Sequence, residues 1–315
     1  MKKPIVVLTG PTAVGKTELS IQLAKAIGGE IISADSMQVY KHMDVGSAKI
    51  TPEEMDGVRH YLVDELEPFD EFHVVKFQEY AQKYLNEIYA HGKIPIITGG
   101  TGFYIQALLN DIDFTEQESD SAYRKELEAL AEEYGNQYLH DRLKEVDPES
   151  AEAIHPNNRK RVIRALEFYQ ETGRKISEHN AKEQMRTSPY NFAYFVLNDE
   201  RSHLYKRIDA RVDKMIEDGL EAEVRRLKEM GCTKDMVAMQ GIGYKEMLSY
   251  LDGGYSLEEA VYIIKRETRH FAKRQITWFK RERDVIWLNK NEFDYKNEAI
   301  LAYMIKILKE KAIIS

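Results

Sequence analysis

The 315-residue sequence predicts an α/β protein: a parallel sheet flanked by helices, interrupted by an all-helical insertion domain. Three observations carry the prediction. The run Ile5-Val6-Val7-Leu8-Thr9 leads directly into Gly10-Pro11-Thr12-Ala13-Val14-Gly15-Lys16-Thr17, a strand feeding a glycine-rich turn and a helix start. Two further apolar runs, Glu30 to Ala34 and Lys93 to Thr98, end in Asp35 and in a second glycine-rich loop, Gly99-Gly100-Thr101-Gly102. Residues 114–190, by contrast, are charged and helically periodic, with no clear strand.

The elements follow in order. After the first strand, Leu19, Leu23 and Ile27 recur at helical spacing, and Gly28-Gly29 ends that helix. Glu30 to Ala34 reads as a second strand, apolar enough to be buried on both faces as parallel strands are. A helix from about Val75 to Ala90 bridges to the third strand. Strand, helix, strand, helix, strand implies right-handed crossovers in a parallel sheet, with ligands collecting at the carboxyl ends of the strands. From Phe114 the pattern turns helical, as in Leu127, Leu130 and Tyr134, until Asn191 to Leu197 resumes a strand. Residues 114–190 are therefore an insertion between the core segments 1–113 and 191–315. Leu204, Ile208, Val212, Met215 and Ile216 mark an amphipathic helix stopping at Gly219, and Leu220, Val224 and Leu227 a second one ending at Gly231. Asp284 to Leu288 and Ala299 to Lys311 supply a last strand and a closing helix.

Composition narrows the function classes. No apolar run approaches the roughly 18 residues of a membrane span, and the Met1-Lys2-Lys3 start leads into the first strand rather than a cleavable signal, so a cytoplasmic protein without membrane association is expected. Cys232, the single cysteine, cannot form an internal disulfide and reads as structural. The net charge of −8 is unevenly spread. Between Lys265 and Arg283 eight Lys or Arg face two Glu, a local charge of +6, so the rest of the chain carries −14. That stretch includes Arg269, Lys273, Arg274 and Gln275 interleaved with Phe271, Trp278 and Phe279, a helix with a phosphate-neutralising side and aromatics that pack or stack on a base. Arg159, Lys160, Arg161 and Arg164 form a second cluster in the insertion. Either cluster alone is a solvated face; two of them in an acidic chain suit walls of a channel for a polyanion.

The spacing G-x-x-x-x-G-K-T matters because Gly10 and Gly15 let the backbone N–H groups of Thr12 and Ala13 turn inward around an anion, while Lys16 reaches phosphate oxygen and Thr17 reaches Mg²⁺. A di- or triphosphate is therefore expected on a P-loop NTPase-like sheet. Asp35 has three readings at this level: a cap for its own turn, a Mg²⁺ ligand, or a general base. Ser36, Met37 and Gln38 follow it, and Gln38 carries the donor and acceptor pair that reads an adenine edge. Thr101 either satisfies its own turn or donates to a developing charge. Arg207 and Arg211 lie one helical turn apart: either both are the solvated flank of an amphipathic helix, or a guanidinium facing the crevice stabilises a leaving pyrophosphate.

Three blocks now stand in order: the phosphate loop, Ser33-Ala34-Asp35-Ser36-Met37-Gln38-Val39-Tyr40, and Gly99-Gly100-Thr101-Gly102-Phe103-Tyr104. With Gln240-Gly241-Ile242-Gly243-Tyr244-Lys245-Glu246 and His270 to Phe279 they resemble the bacterial tRNA dimethylallyltransferase family over nearly the whole chain. The zinc-finger extension of eukaryotic relatives needs more than one cysteine. The resemblance implies transfer of dimethylallyl from dimethylallyl diphosphate to N6 of the adenosine 3′ of the anticodon in tRNAs reading U-starting codons. It implies that Asp35 is the general base, Thr101 the threonine at the channel centre, and Lys16, Thr17 and Arg211 the pyrophosphate and Mg²⁺ site. Asp35, Ser36, Met37 and Gln38 at the target base, and both basic clusters with Gln275 and Trp278, are then the tRNA contacts of a monomeric enzyme. A small-molecule kinase, a free-adenylate prenyltransferase and a nucleotide-driven RNA-binding switch are the competing readings. The basic stretches disfavour the first two, and the pairing of Asp35 with Thr101 disfavours the third.

Overall fold

The computed structural model describes residues 2–112 and 122–315, so the expected boundary at Phe114 lies outside the described residues. The first elements are β1 (Lys3–Thr9), α1 (Lys16–Ile27), β2 (Gly29–Ser33), α2 (Pro52–Met55), β3 (His60–Tyr61), α3 (Val74–Ala90), β4 (Ile94–Gly99) and α4 (Gly102–Asn110). Five helices follow: α5 (Ala122–Tyr134), α6 (Asn136–Val146), α7 (Pro148–Ala153), α8 (Arg159–Thr172) and α9 (Ile176–Met185). The chain continues through β5 (Tyr190–Asn198), α10 (Arg201–Glu217), α11 (Leu220–Glu229), α12 (Tyr244–Leu251), α13 (Leu257–Phe279), β6 (Val285–Asn289) and α14 (Asn297–Glu310). Among the described residues no helix is long and apolar enough to cross a membrane.

The chain divides into two compact units, Met1–Leu109 with Pro189–Ser315, and Asn110–Ser188. In the first, six strands form one sheet in the order β3-β2-β4-β1-β5-β6, every neighbouring pair parallel. Alternation splits each strand between two buried layers, as a parallel sheet covered on both sides requires. Ile5 and Val7 of β1, Ile97 of β4 and Tyr194 and Val196 of β5 enter one layer with Phe77, Tyr104 and Tyr244. Val6, Leu8, Ile31, Ile96, Ala193 and Phe195 enter the other with Leu19, Ile208 and Met304. Cys232 is buried in the first layer, where burial pushes its thiol up, the opposite of what activates a nucleophile.

β4 lies between β1 and β2, with Thr9 level with Gly99 and Ser33 level with Thr98. The carboxyl ends of the three strands are cross-tied. Thr9 Oγ1 donates to Gly99 O (2.6 Å), Ala34 N–H to Thr98 O (2.7 Å) and Thr101 N–H to Ala34 O (3.2 Å). The loops after β1, β2 and β4 are thereby held against one another.

The second unit packs its helices around Leu127, Leu139, Leu143, Val162 and Leu166. Leu127 and Leu130 face that core, but Tyr134, which shares their periodicity, is exposed at the end of α5 and stacks beside Tyr138 instead. Buried Asp147 accepts from Ser150 and Ser177, fastening α7 to α9.

Gly10, immediately after β1, has a strict steric requirement. Its φ is +148°, and a Cβ there meets Leu197 O at 2.2 Å. Gly10→Ala is accordingly expected to destabilise the protein by about 2 kcal/mol or more, read as a lowered urea midpoint.

Candidate active site

A cavity of about 550 Å³ opens at the carboxyl ends of β1, β2 and β4, inside the range typical of small-molecule sites. One end is polar. Lys16 and Thr17 at the start of α1, Asp35 after β2, Thr101 after β4 and Arg211 on α10 all line it. Ile208, Val212 and Met215, on the same helix as Arg211, and Ile264 on α13 make an apolar wall beside that end. A smaller cavity of about 350 Å³ adjoins it at the phosphate loop, lined by Ala13, Gly15, Lys16, Thr17, Arg207 and Arg211 among others.

Charge is concentrated where water is scarce. Lys16 Nζ donates to Gly10 O (3.0 Å) and Pro11 O (2.9 Å), the carbonyls of its own loop. Burial pushes its pKa down to about 8, the Arg211 guanidinium adds to that, and the Asp35 carboxylate opposes it. Arg211 is likewise lowered by burial, with Asp35 opposing. It donates to Ser47 O at 3.4 Å. Two cations held together without a full complement of anions constitute a site that gains from taking a diphosphate.

Asp35 does two things at once. Its Oδ1 accepts from the Met37 N–H (2.9 Å) and the Gln38 N–H (3.3 Å), so the cap reading holds, while the residue also lines the cavity. The turn it caps presents Gln38, whose Nε2 donates to Ala48 O (3.2 Å), and seats Met37 against Gly241. The hydroxyls of Thr17 and Thr101 make no hydrogen bond among the described residues, and both line the cavity. Among those residues no cluster of three or more His, Cys, Asp or Glu is placed to hold a metal.

Several expected RNA contacts sit differently from their expectation. Gln275 is 6 % exposed, and both ends of its amide are spent inside the protein: Oε1 accepts from the Thr12 N–H (2.9 Å) and Nε2 donates to Gly100 O (2.9 Å). It pins the phosphate loop to the Gly99–Gly102 loop. Arg269 is paired with Asp209 at 2.6 Å, and Lys265 is paired with Asp213, so the +6 stretch is partly neutralised by α10. His270, Lys273, Arg274, Thr277, Trp278 and Arg281 line a surface hollow of about 450 Å³ on α13, and Arg274 also lines the main cavity. Trp278 is half-buried, edge-on to Phe103. In the helical unit Lys160 and Arg161 are exposed at the start of α8, whereas Arg159 and Arg164 are half-buried and Arg159 approaches Glu132 at 3.9 Å. Ser36 lines the main cavity with Met37.

Lys290, after β6, had no signal in the sequence. It is 8 % exposed, and its Nζ lies 3.5 Å from Val14 O, on the phosphate loop. Burial and the neighbouring Arg207 lower its pKa, with Asp199 and Glu18 opposing. Arg207 Nε donates to Ala13 O (2.7 Å), so both flank the loop that Lys16 fills. Only the fold, which brings the end of the chain under its beginning, reveals this pair.

A parallel sheet whose phosphate-loop end opens beside an apolar wall and a carboxylate suits a group-transfer enzyme of the α/β class. The chain belongs to the IPP transferase family, whose description matches residues 38–282. It is 64 % identical over 313 residues to "tRNA dimethylallyltransferase" of Lachnoclostridium phytofermentans, covering 99 % of each chain. To the protein of the same name from Acetivibrio thermocellus it is 52 % identical over 296 residues, covering 94 % of this chain and 95 % of that one. Among solved structures it is similar to the full-length tRNA isopentenylpyrophosphate transferase of Bacillus halodurans, with TM-score 0.74 and 46 % identity over 99 % of this chain and 98 % of that one. A eukaryotic dimethylallyltransferase acting on tRNA superposes with TM-score 0.79 at 32 % identity, over 91 % of this chain and 74 % of that one.

Two outcomes test this geometry. Lys16 is charged below its pKa of about 8 and loses its charge as pH rises through it, so kcat/KM for a diphosphate substrate should fall on the alkaline side of pH 8, measured as a pH profile of the free enzyme. Gln275→Leu leaves the Thr12 N–H and the Gly100 carbonyl without their partner, and should cost about 1–3 kcal/mol in a denaturant titration while weakening pyrophosphate binding in calorimetry.

Proposed function

We propose that this protein transfers a dimethylallyl group from dimethylallyl diphosphate to N6 of the adenosine 3′ of the anticodon in tRNAs reading U-starting codons, releasing pyrophosphate. The observation that carries the reading is the single cavity in which Lys16, Thr17 and Arg211, an apolar wall, Asp35 and Thr101 meet. A diphosphate fits the cationic end, and a five-carbon apolar chain fits the wall beside it.

In the reaction a C–N bond forms between N6 and the first carbon of the donor as that carbon's bond to oxygen breaks. The electron pair of the broken bond leaves with pyrophosphate. An exocyclic aromatic amine is a poor nucleophile, and Asp35 takes its proton as the bond forms, an assistance of about 10²–10⁴-fold. The Lys16 ammonium, the Arg211 guanidinium and the backbone N–H groups of the phosphate loop hold the charge that develops on the leaving group. Thr101 donates its unused hydroxyl to the bridging oxygen. Thr17, whose hydroxyl lines the cavity, would hold a Mg²⁺ ion there, and that ion would supply further charge neutralisation for the leaving group. Gln38, facing the cavity beside Asp35, reads the adenine edge once the base leaves its stack.

The anticodon stem-loop contacts the exposed cations, Lys273 and Arg274 of α13 and Lys160 and Arg161 of the helical unit. Arg269, Arg159 and Arg164 support these positions from partly buried sites. The protein acts as a monomer in the cytoplasm.

Labelled dimethylallyl diphosphate with Mg²⁺ should deposit label in unmodified tRNA; label in free AMP, or phosphate transfer from ATP to small acceptors, would select the competing enzymes. Asp35→Asn keeps an Oδ1 acceptor for the Met37 and Gln38 N–H groups and removes the base, so kcat should fall about 10²–10⁴-fold with tRNA affinity within a few-fold. Substituting Lys273 and Arg274 by Ala should weaken tRNA binding and reduce the slope of log affinity against log salt by about one per residue. An unchanged slope returns both to the solvated surface.

A further inference from the structure

One buried carboxylate of the core serves none of the roles above. Glu223 on α11 is 1 % exposed, and all its accepting capacity is directed at one loop and one ring. Oε2 accepts from the Asp44 N–H (2.8 Å) and the Val45 N–H (2.7 Å); Oε1 accepts from the Gly46 N–H (3.0 Å) and the Tyr244 hydroxyl (2.8 Å). Three successive backbone donors and a phenol replace the water that the carboxyl group loses on burial. Tyr244, fully buried at the start of α12, closes the arrangement from above: a Cβ at Gly46 meets its ring at 2.5 Å.

The carbonyls that follow this clamp are the ones that the site uses. Ser47 O accepts from Arg211, and Ala48 O accepts from Gln38. Ala48 is held at φ +43°, a strained conformation for a residue with a Cβ, and it persists because its surroundings fix it. Lys49 ties the far end of the loop through Tyr40 O, Asp44 and Asp64. The near end has Glu223.

We propose that Glu223 is a positioning residue for the transfer reaction, setting the orientation of Gln38 and Arg211 through the Asp44–Ala48 loop. The proposal rests on the reading in which Gln38 meets the acceptor base and Arg211 the leaving diphosphate. Tyr244 is the second half of the device, which accounts for part of the Gln240–Glu246 motif that the chemistry itself left without a task.

Glu223→Gln keeps the volume but sets an amide N–H against a backbone N–H, so the loop shifts without losing its packing. The expected result is a loss of roughly 10- to 100-fold in kcat/KM for the tRNA acceptor. The deciding readout is a double-mutant cycle with Gln38→Ala. If Glu223 acts through Gln38, the Glu223→Gln loss shrinks at least about threefold in the Gln38→Ala background. A purely structural carboxylate gives the same loss in both backgrounds and overturns the proposal, as does a Glu223→Gln enzyme with wild-type kcat/KM. Should Glu223→Gln fail to fold, Tyr244→Phe removes one donor and leaves the three N–H groups; it carries the same cycle with an expected loss of about two- to tenfold. Pyrophosphate binding to the Glu223→Gln protein, measured by calorimetry, is expected to weaken a few-fold through Arg211. That measurement needs no turnover: a wild-type protein that transfers nothing to tRNA sinks the proposed function, while unaltered pyrophosphate affinity in Glu223→Gln sinks the Arg211 half of this proposal.

Discussion

The site depends on the register that places β4 between β1 and β2. With Thr9 level with Gly99 and Ser33 level with Thr98, three loops leave the sheet at the same height and must satisfy one another's backbone groups. The Ala34 N–H and carbonyl are both taken by residues around the second glycine loop, so Asp35 has no freedom to drift from Thr101. A slip by one residue would turn Ile96 and Ile97 to the wrong layers and separate the three loops at once. Core packing and active-site geometry are therefore enforced by the same set of contacts.

Charge placement follows from that enclosure. Lys16, Arg211, Arg207 and Lys290 gather around a loop whose Gly10 has no room for a side chain and whose Gly15 is held at φ +101°, and burial lowers the pKa of Lys16, Arg211 and Lys290. The free protein bears an electrostatic cost there that an anion bound at the loop would relieve. Asp35 moderates the cost for two of these cations, and it does so from a position fixed by the two N–H groups it caps.

The sequence exposes the sheet and the phosphate loop because their signals are local: apolar runs of strand length, glycines at fixed spacing, and a helix period that starts on time. Asp35, Thr101 and Lys16 are readable for the same reason, each standing at an element end or within a motif, and Arg211 by its one-turn spacing from Arg207. What lies beyond reach depends on distance along the chain. The two-residue strand His60–Tyr61 and the single turn Pro52–Met55 are too short for any periodicity to appear. Gln275 looks like part of a basic RNA-facing helix, but its partners are Thr12 and Gly100, in two loops it meets only in the fold. The count of +6 along residues 265–283 could not include Asp209 and Asp213, which come from a helix fifty residues earlier or more and take up Arg269 and Lys265. Glu223 and Lys290 are unremarkable by composition and acquire meaning only from what they are buried against.

The closures of the site span most of the polypeptide: Thr12 and Gln275 are separated by 263 positions, Asp44 and Glu223 by 179. During synthesis the phosphate loop and the Asp35 turn emerge first, and at roughly 5–20 residues per second their clamps follow on the order of tens of seconds later. A nascent or truncated chain can hold β1, β2 and β4 yet lack the groups that set the loops. The phosphate loop therefore reaches its finished shape only when α13, which carries Gln275, has left the ribosome and docked.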